Sequence, residues 1–281
     1  MPKRDLANMD GDMFSPIGKL LQQAFAHGID NDIVQGGLLV GQTELQSVYA
    51  QSVTQNCVLG SKLVEKESGR EFHYSRAGAV ALGKALMTQS PAEVSNYIDE
   101  VQTAYGWSAG DTSGTVLITT GATPAANLFA DGWMVCNKGA GLGQAFPILT
   151  SGSHATIIEI ALKSGFSVQT AIAAASEITL VMSPFRNTIV APVTTLTAPP
   201  AGVPLLAVTA EYYFWAQTKG PAAMTVDSGD TITIGEPVGS PGTNGVAGTV
   251  GVATTLEGHY GKAMSIATGD ETCLINLDLG Y

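Results

Sequence analysis

The stretch GWMVCNKGAGLGQAFPI, residues 132–148, decides how this chain is read. A β-prone run enters five residues of which three are glycine, which is how a phosphate-cradling loop begins. A dinucleotide loop needs G-x-G-x-x-G opening a helix, because the helix N-terminus holds the pyrophosphate. Here the spacing is Gly139-x-Gly141-x-Gly143, followed by Gln144-Ala145-Phe146-Pro147-Ile148-Leu149. Pro147 among β-forming neighbours opens no helix of useful length. No Gly-Lys-Ser/Thr occurs, so the mononucleotide loop fails too. Asn137-Lys138-Gly139 instead reads as a hairpin turn, with glycines supplying positive φ. The stretch predicts a corner between two strands.

On both sides of this corner the same signals recur. Short runs rich in Val, Ile, Thr or aromatics, each bounded by Gly, Pro, Asp or Asn, predict strands. They fall at 115–120, 133–136, 144–149, 156–162, 178–182, 188–190, 205–208, 212–217, 231–234, 248–252, 263–266 and 272–277. That spacing predicts a mainly β chain with sandwich- or barrel-like domains rather than βαβ units. Thr-Lys-Gly-Pro (218–221) reads as a turn, and TTLTAPPAGVP (194–204) as a proline-rich hinge between β parts.

The first hundred residues differ. They hold 8 of the 13 Lys/Arg and 12 of the 24 Asp/Glu. In FSPIGKLLQQAFAHG, Ser15 suits an N-cap and Pro16 the first helical position. Ile17, Leu20, Leu21, Ala24 and Phe25 share one face, and Gly28 can end the helix. A second helix is predicted in SPAEVSNYIDEVQTAYG (90–106), from the capping box Ser90-Pro91-x-Glu93 and the stripe Val94, Tyr97, Ile98 and Val101. The expected organisation is a partly helical, extended N-terminal arm (1–110), a β domain (111–198) and a C-terminal β-barrel-like domain (199–281).

Composition narrows function. The 281 residues are 45% hydrophobic and only 13% charged, with net charge −11. A surface of Ser, Thr, Gly and Ala suits a protein that packs against its own copies. Nucleic acid as a partner is disfavoured, since phosphates call for Lys and Arg. No run approaches the ~20 apolar residues of a membrane span. The opening MPKRDLANMDGDMF carries acids where a signal peptide needs an apolar core. Cys57, Cys136 and Cys273 form no paired spacing and read as free thiols.

Candidate chemistry fails one group at a time. His27 sits at a predicted helix end, and His73 lies in the mixed-charge REFHYSR as a solvated or subunit-contact residue. Ser153 and His154 are adjacent on a strand and so point to opposite faces. His259 with Glu257 lacks a third metal ligand at a recognisable spacing. Asp10/Asp12 and Asp30/Asp32 lack the distal Glu of a calcium loop, and Asp227/Asp230 in VDSGD read as a turn. No catalytic residue, metal ligand or cofactor is predicted.

Three phrases carry a resemblance: ITTGATPAANLFADGWMVCNKGAGLGQAFPI, LVMSPFRNTIVAP and PAGVPLLAVTAEYYFWAQTKGPAAM. Their order resembles a group of virion structural proteins of tailed bacteriophages, many from marine phages. The tail from SGDTITIGEPV onward is similar to small β-barrel segments of phage head-decoration proteins, with a shared GEPV turn. The resemblance spans about 110–281 and implies a decoration or cement subunit on a bacteriophage capsid. It implies contacts with its own copies and the major capsid protein, and no catalytic residues. Synthesis in the host cytoplasm and residence on the virion surface would follow. The same features allow the major coat subunit, though no long spine helix is visible. A reading of another class is a glycan-binding adhesion or fibre module using Trp107, Trp133 or Trp215. Expected interaction residues are Ile17, Leu20, Leu21 and Phe25 on the arm, and Tyr213 and Trp215 in the two-faced apolar run EYYFWAQ.

Overall fold

Alternation is the local cause of most strands. In Thr272–Asp278 (TCLINLD) every second side chain is buried, and Ile157–Leu162 (IIEIAL) shows the same period. The computed structural model describes residues 46–118, 123–152, 154, 156–193, 196–241, 246–253 and 259–281. Among these the protein is mainly β, with two curled sheets forming a half-barrel and a nearly closed barrel. In chain order the strands begin with β1 Lys62–Glu65, β2 Arg70–Arg76, β3 Thr88–Gln89, β4 Glu100–Val101, β5 Ser113–Leu117 and β6 Trp133–Lys138. Then come β7 Ala145–Ser151, β8 Ile157–Leu162, β9 Glu177–Val181, β10 Ile189–Val190, β11 Pro200–Pro204 and β12 Tyr213–Thr225. The last are β13 Thr231–Ile232, β14 Pro237–Gly239, β15 Gly251–Val252, β16 His259–Ala263, β17 Ala267–Thr268 and β18 Thr272–Asp278.

The smaller sheet has the order β4-β9-β6-β7-β8-β5. Its core holds Trp107, Val116, Phe129, Met134, Ile148, Ile158, Ile160, Ile178 and Leu180. The Gln102 side chain links the two edge strands. The buried Gln102 amide accepts from Leu117 N–H at 2.8 Å and donates to Leu117 C=O at 3.2 Å and Glu100 C=O at 2.9 Å. A side-chain amide thus does the work of a missing ladder step and closes the seam. The corner at 139–143 joins β6 to β7, with φ of +84°, +88° and +86° at Gly139, Gly141 and Gly143. A hairpin, not a helix, follows the glycines.

The larger sheet has the order β10-β3-β11-β12-β18-β16-β14-β15, with β2 also on β12 and β1 on β2. Residues 62–89, which the sequence assigns to the arm, therefore share a sheet with strands from 189–278. The thirteen-residue β12 ties it together. Its first half pairs with β2 (Trp215↔Tyr74) and its second with β18 (Met224↔Cys273). The changeover lies at Lys219, with a register shift between Gln217 and Lys219, so the predicted turn at 218–221 is instead part of a continuous strand. Gly220 takes φ +83°, and a Cβ on it would stand 2.8 Å from the Gly69 carbonyl. The glycine lets the Gly69 backbone approach closely without ending the strand.

Three further expectations are corrected. The helix predicted at 90–106 is a single 3-10 turn, Ser95–Tyr97, followed by β4. Its stripe is split, because Tyr97 is buried in the small sheet's core while Val94 and Val101 are exposed. Pairing of β4 with β9 overrides the capping box. The proline hinge is β11, lying between β3 and β12. Prolines withhold N–H donors there, and β3 side chains add bonds of their own: Thr88 donates to Gly202 C=O at 2.6 Å and Gln89 to Thr197 Oγ1 at 2.6 Å. The strand predicted at 205–208 is displaced to this position. The helix predicted at 15–28 lies outside the described residues.

Candidate interaction surfaces

β12 is apolar on both faces, and this chain covers both. Trp215 packs with Phe72, Tyr74 and Phe185 on one side, while Phe214 and Ala216 pack with Leu82 and Val208 on the other. Trp215 is wholly buried, its indole N–H donating to Gln46 C=O at 2.8 Å. Its surface is spent on the protein's own core. Tyr213 is half-buried, stacked on Tyr74 at 5.9 Å with the Arg76 guanidinium over its ring at 5.8 Å. Ile17, Leu20, Leu21 and Phe25 lie outside the described residues.

Tyr213 also lines a cleft of about 570 Å³ between the two sheets. Arg76 at the end of β2 contributes its guanidinium, held by Asn187 Oδ1 and Glu211 Oε2. Arg186, on the segment linking β9 to β10, comes from the other side. Its side chain is 11% exposed; Nε donates to Ala130 C=O at 3.2 Å, and Nη2 lies 3.6 Å from Asp131. Burial pulls the Arg186 pKa down, Asp131 pulls it up, and the nearby Arg76 charge pulls it down again. Asp131 also takes Lys163 at 3.0 Å. Asn127 adds a polar group, and Leu128, Ile189 and Pro91 an apolar wall. Clefts at such junctions are preferred binding positions.

A second surface is apolar. Ile234, Met264, Ile266 and Leu274 are exposed, at 66%, 46%, 64% and 40%. Backbone bonds bring them together: Gly235 N–H to Ala263 C=O, Met264 N–H to Leu274 C=O, and the β13–β17 ladder. On the small sheet Trp133 is 45% exposed, whereas Trp107 is buried.

The remaining candidates sit as follows. His73 is buried rather than solvated, because β2 lies between β1 and β12; its ring stacks on Phe185 at 4.9 Å and shares a hydrogen bond with Thr218. Burial, aided by the Lys62 charge and opposed by Glu71, pushes its pKa down to about 4. Asp227 anchors a turn, accepting from Val246 and Gly229 N–H and from Thr249. Asp230 is pushed up by burial and by Asp227. His154 and His259 are exposed, while Ser153, Glu257, His27 and the two N-terminal acidic pairs lie outside the described residues. Among the described residues no three His, Cys, Asp or Glu side chains gather as a metal site. All three cysteines are free and buried, and burial pushes Cys57 up to about 11.

Sequence reasoning missed Arg76 and Arg186. The signal available was scarcity: the chain has four arginines, and these two meet across a junction the sequence does not reveal. No protein-family model, curated protein or solved structure matches the chain.

Proposed function

We propose that the chain is a structural virion protein, a decoration or cement subunit that acts by contact with its own copies and with the major protein of a bacteriophage shell. The observation that carries this reading is the exposed group Ile234, Met264, Ile266 and Leu274, within the region that resembles head-decoration proteins. Four large exposed apolar side chains, Leu274 on β18 and the others on the turns next to β13, β16 and β17, favour burial against a neighbour. The low charge of residues 101–281, with 5 Lys/Arg and 12 Asp/Glu, fits a subunit kept away from packaged DNA.

Co-sedimentation with isolated heads of the encoding phage tests the reading. Wild-type protein should pellet with heads, and Ile234→Asp/Ile266→Asp should pellet several-fold less while keeping its β circular dichroism. Wild type that stays in the supernatant would overturn it. The adhesion reading rests on the exposed Trp133; glycan binding lost in Trp133→Ala with the fold intact would favour it.

A further inference from the structure

We propose that the cleft between the two sheets binds a small monocarboxylate, a single anionic head on an apolar body, as a free ligand. This goes beyond the virion reading and does not depend on it. Two of the chain's four arginines, Arg76 and Arg186, line the cleft, although the chain as a whole carries net charge −11. The ion pairs described there set Arg76, Arg186 and Lys163 against Glu211 and Asp131, three positive groups and two negative. Asp131 serves two of the cations, Lys163 at 3.0 Å and Arg186 at 3.6 Å. An acidic protein thus keeps a local surplus of one positive charge at the mouth of its inter-sheet cleft, and one carboxylate would balance it.

The two guanidiniums are positioned rather than loose. Arg76 is held by Asn187 Oδ1 and Glu211 Oε2, with its guanidinium 5.8 Å from the centre of the Tyr213 ring. Arg186 is 11% exposed, and burial lowers its pKa most, with the Arg76 charge lowering it further. An anion placed against both would offset that desolvation and repulsion together. The backbone of the polar rim is unusual as well. Asn127, Asn187 and Glu211 line the cleft with φ of +59°, +54° and +68°, and Asp131 behind Arg186 has φ +63°. These are four of the eight described non-glycine residues with positive φ. Asn and Asp tolerate that form, Glu much less so, and such strain gathers where a site fixes its side chains.

The class of ligand follows from the lining. A planar guanidinium matches a carboxylate through paired N–H donors, which a lysine does not. Leu128, Ile189 and Pro91 form an apolar wall for the body of the molecule, and about 570 Å³ is room for a small organic acid. A phosphate, with nearly two charges at neutral pH, exceeds the surplus of one and leaves the apolar wall unused. The side chain of Glu211 is 53% exposed, so its pair with Arg76 is weak enough for an incoming carboxylate to displace.

Calorimetry and ligand-observed NMR on the full chain at low salt test this, with hexanoate as probe, hexanamide as its neutral counterpart and inorganic phosphate as the rival anion. Hexanoate should bind saturably with a Kd of order 1 mM, about tenfold or more tighter than hexanamide or phosphate. Arg76→Gln should weaken hexanoate binding about tenfold, and Arg186→Lys, which keeps the charge but loses the fork, several-fold. Glu211→Gln should tighten it, whereas an Arg76–Glu211 pair with a purely structural role would give no gain in affinity. Circular dichroism checks that each variant is folded, and the half-exposed Arg76 gives the readout if Arg186→Lys is not. No saturable hexanoate binding at tens of millimolar, equal affinity for hexanamide, tighter binding of phosphate, or indifference to Arg76→Gln in folded protein would each overturn the proposal. Head binding is read separately, so either idea can fail alone.

Discussion

Replacing Gln102 by Leu should open the seam of the smaller sheet. The side chain makes three hydrogen bonds, two to Leu117 and one to Glu100, and is fully buried. Leucine fills similar space but satisfies none of these groups. At about 1 kcal/mol per lost bond, the cost is about 3 kcal/mol. For a chain of this size that corresponds to a melting temperature lowered by roughly 6–12 °C. Gln102→Glu gives the sharper control. At neutral pH its carboxylate can still accept from Leu117 N–H but faces two carbonyls that it cannot bond. Protonation restores one donor, so Gln102→Glu should be nearer wild type at pH 5 than at pH 7. Denaturant unfolding gives the free energies, and hydrogen exchange at the Leu117 amide reports the seam itself. A Gln102→Leu cost below about 0.5 kcal/mol, with Leu117 protection unchanged, would refute the role given to this side chain.

Three further outcomes are expected. His73 is neutral in the fold with a pKa near 4, against 6.5 when free, so the unfolded chain binds the extra proton first as pH falls. Stability should therefore drop by about 3 kcal/mol between pH 7 and 4 and level off below; His73→Phe should flatten this part of the profile in urea titrations. Gly220→Ala puts a Cβ 2.8 Å from the Gly69 carbonyl at φ +83°, so it should cost about 2 kcal/mol or more by the same assay, whereas Gly235→Ala, at φ +87° in open space, should cost less. Deleting residues 1–30 should leave the β circular dichroism intact but weaken self-association in sedimentation; loss of the β signal would make the stretch part of the core.

What was legible in the sequence was local. The glycine corner, the alternating runs at 157–162 and 272–277, and the two-faced burial of EYYFWAQ all follow from period-two patterns within a few residues. What was hidden was long-range. The stretch 90–106 carries a convincing helix signature, yet its place is set by β9, some eighty residues on. Gly220-Pro221 has the composition of a turn, and only the change of partner from β2 to β18 shows why it stays a strand. His73 looked solvated among Arg70, Glu71 and Arg76 because nothing local signals that β12 covers it. The cleft escaped notice for the same reason: Arg76 and Arg186 are 110 residues apart, and pairing of the segment around Arg186 with the end of β2 brings them together (Arg76 N–H to Phe185 C=O, Thr188 N–H to Arg76 C=O). Tyr213 was picked for its aromatic surroundings, and it does line the cleft, whereas Trp215 belongs to the interior.

In the proposed reading this chain coats a phage shell built of another protein. Electron microscopy of the purified protein, with its mass in solution taken from the same sample and heads of the encoding phage added to a second aliquot, tests it most directly. Small discrete oligomers that decorate the added heads at regular positions are expected. Closed shells or tubes formed by this chain alone would make it the coat subunit. A monomer that leaves the heads bare would contradict the claim.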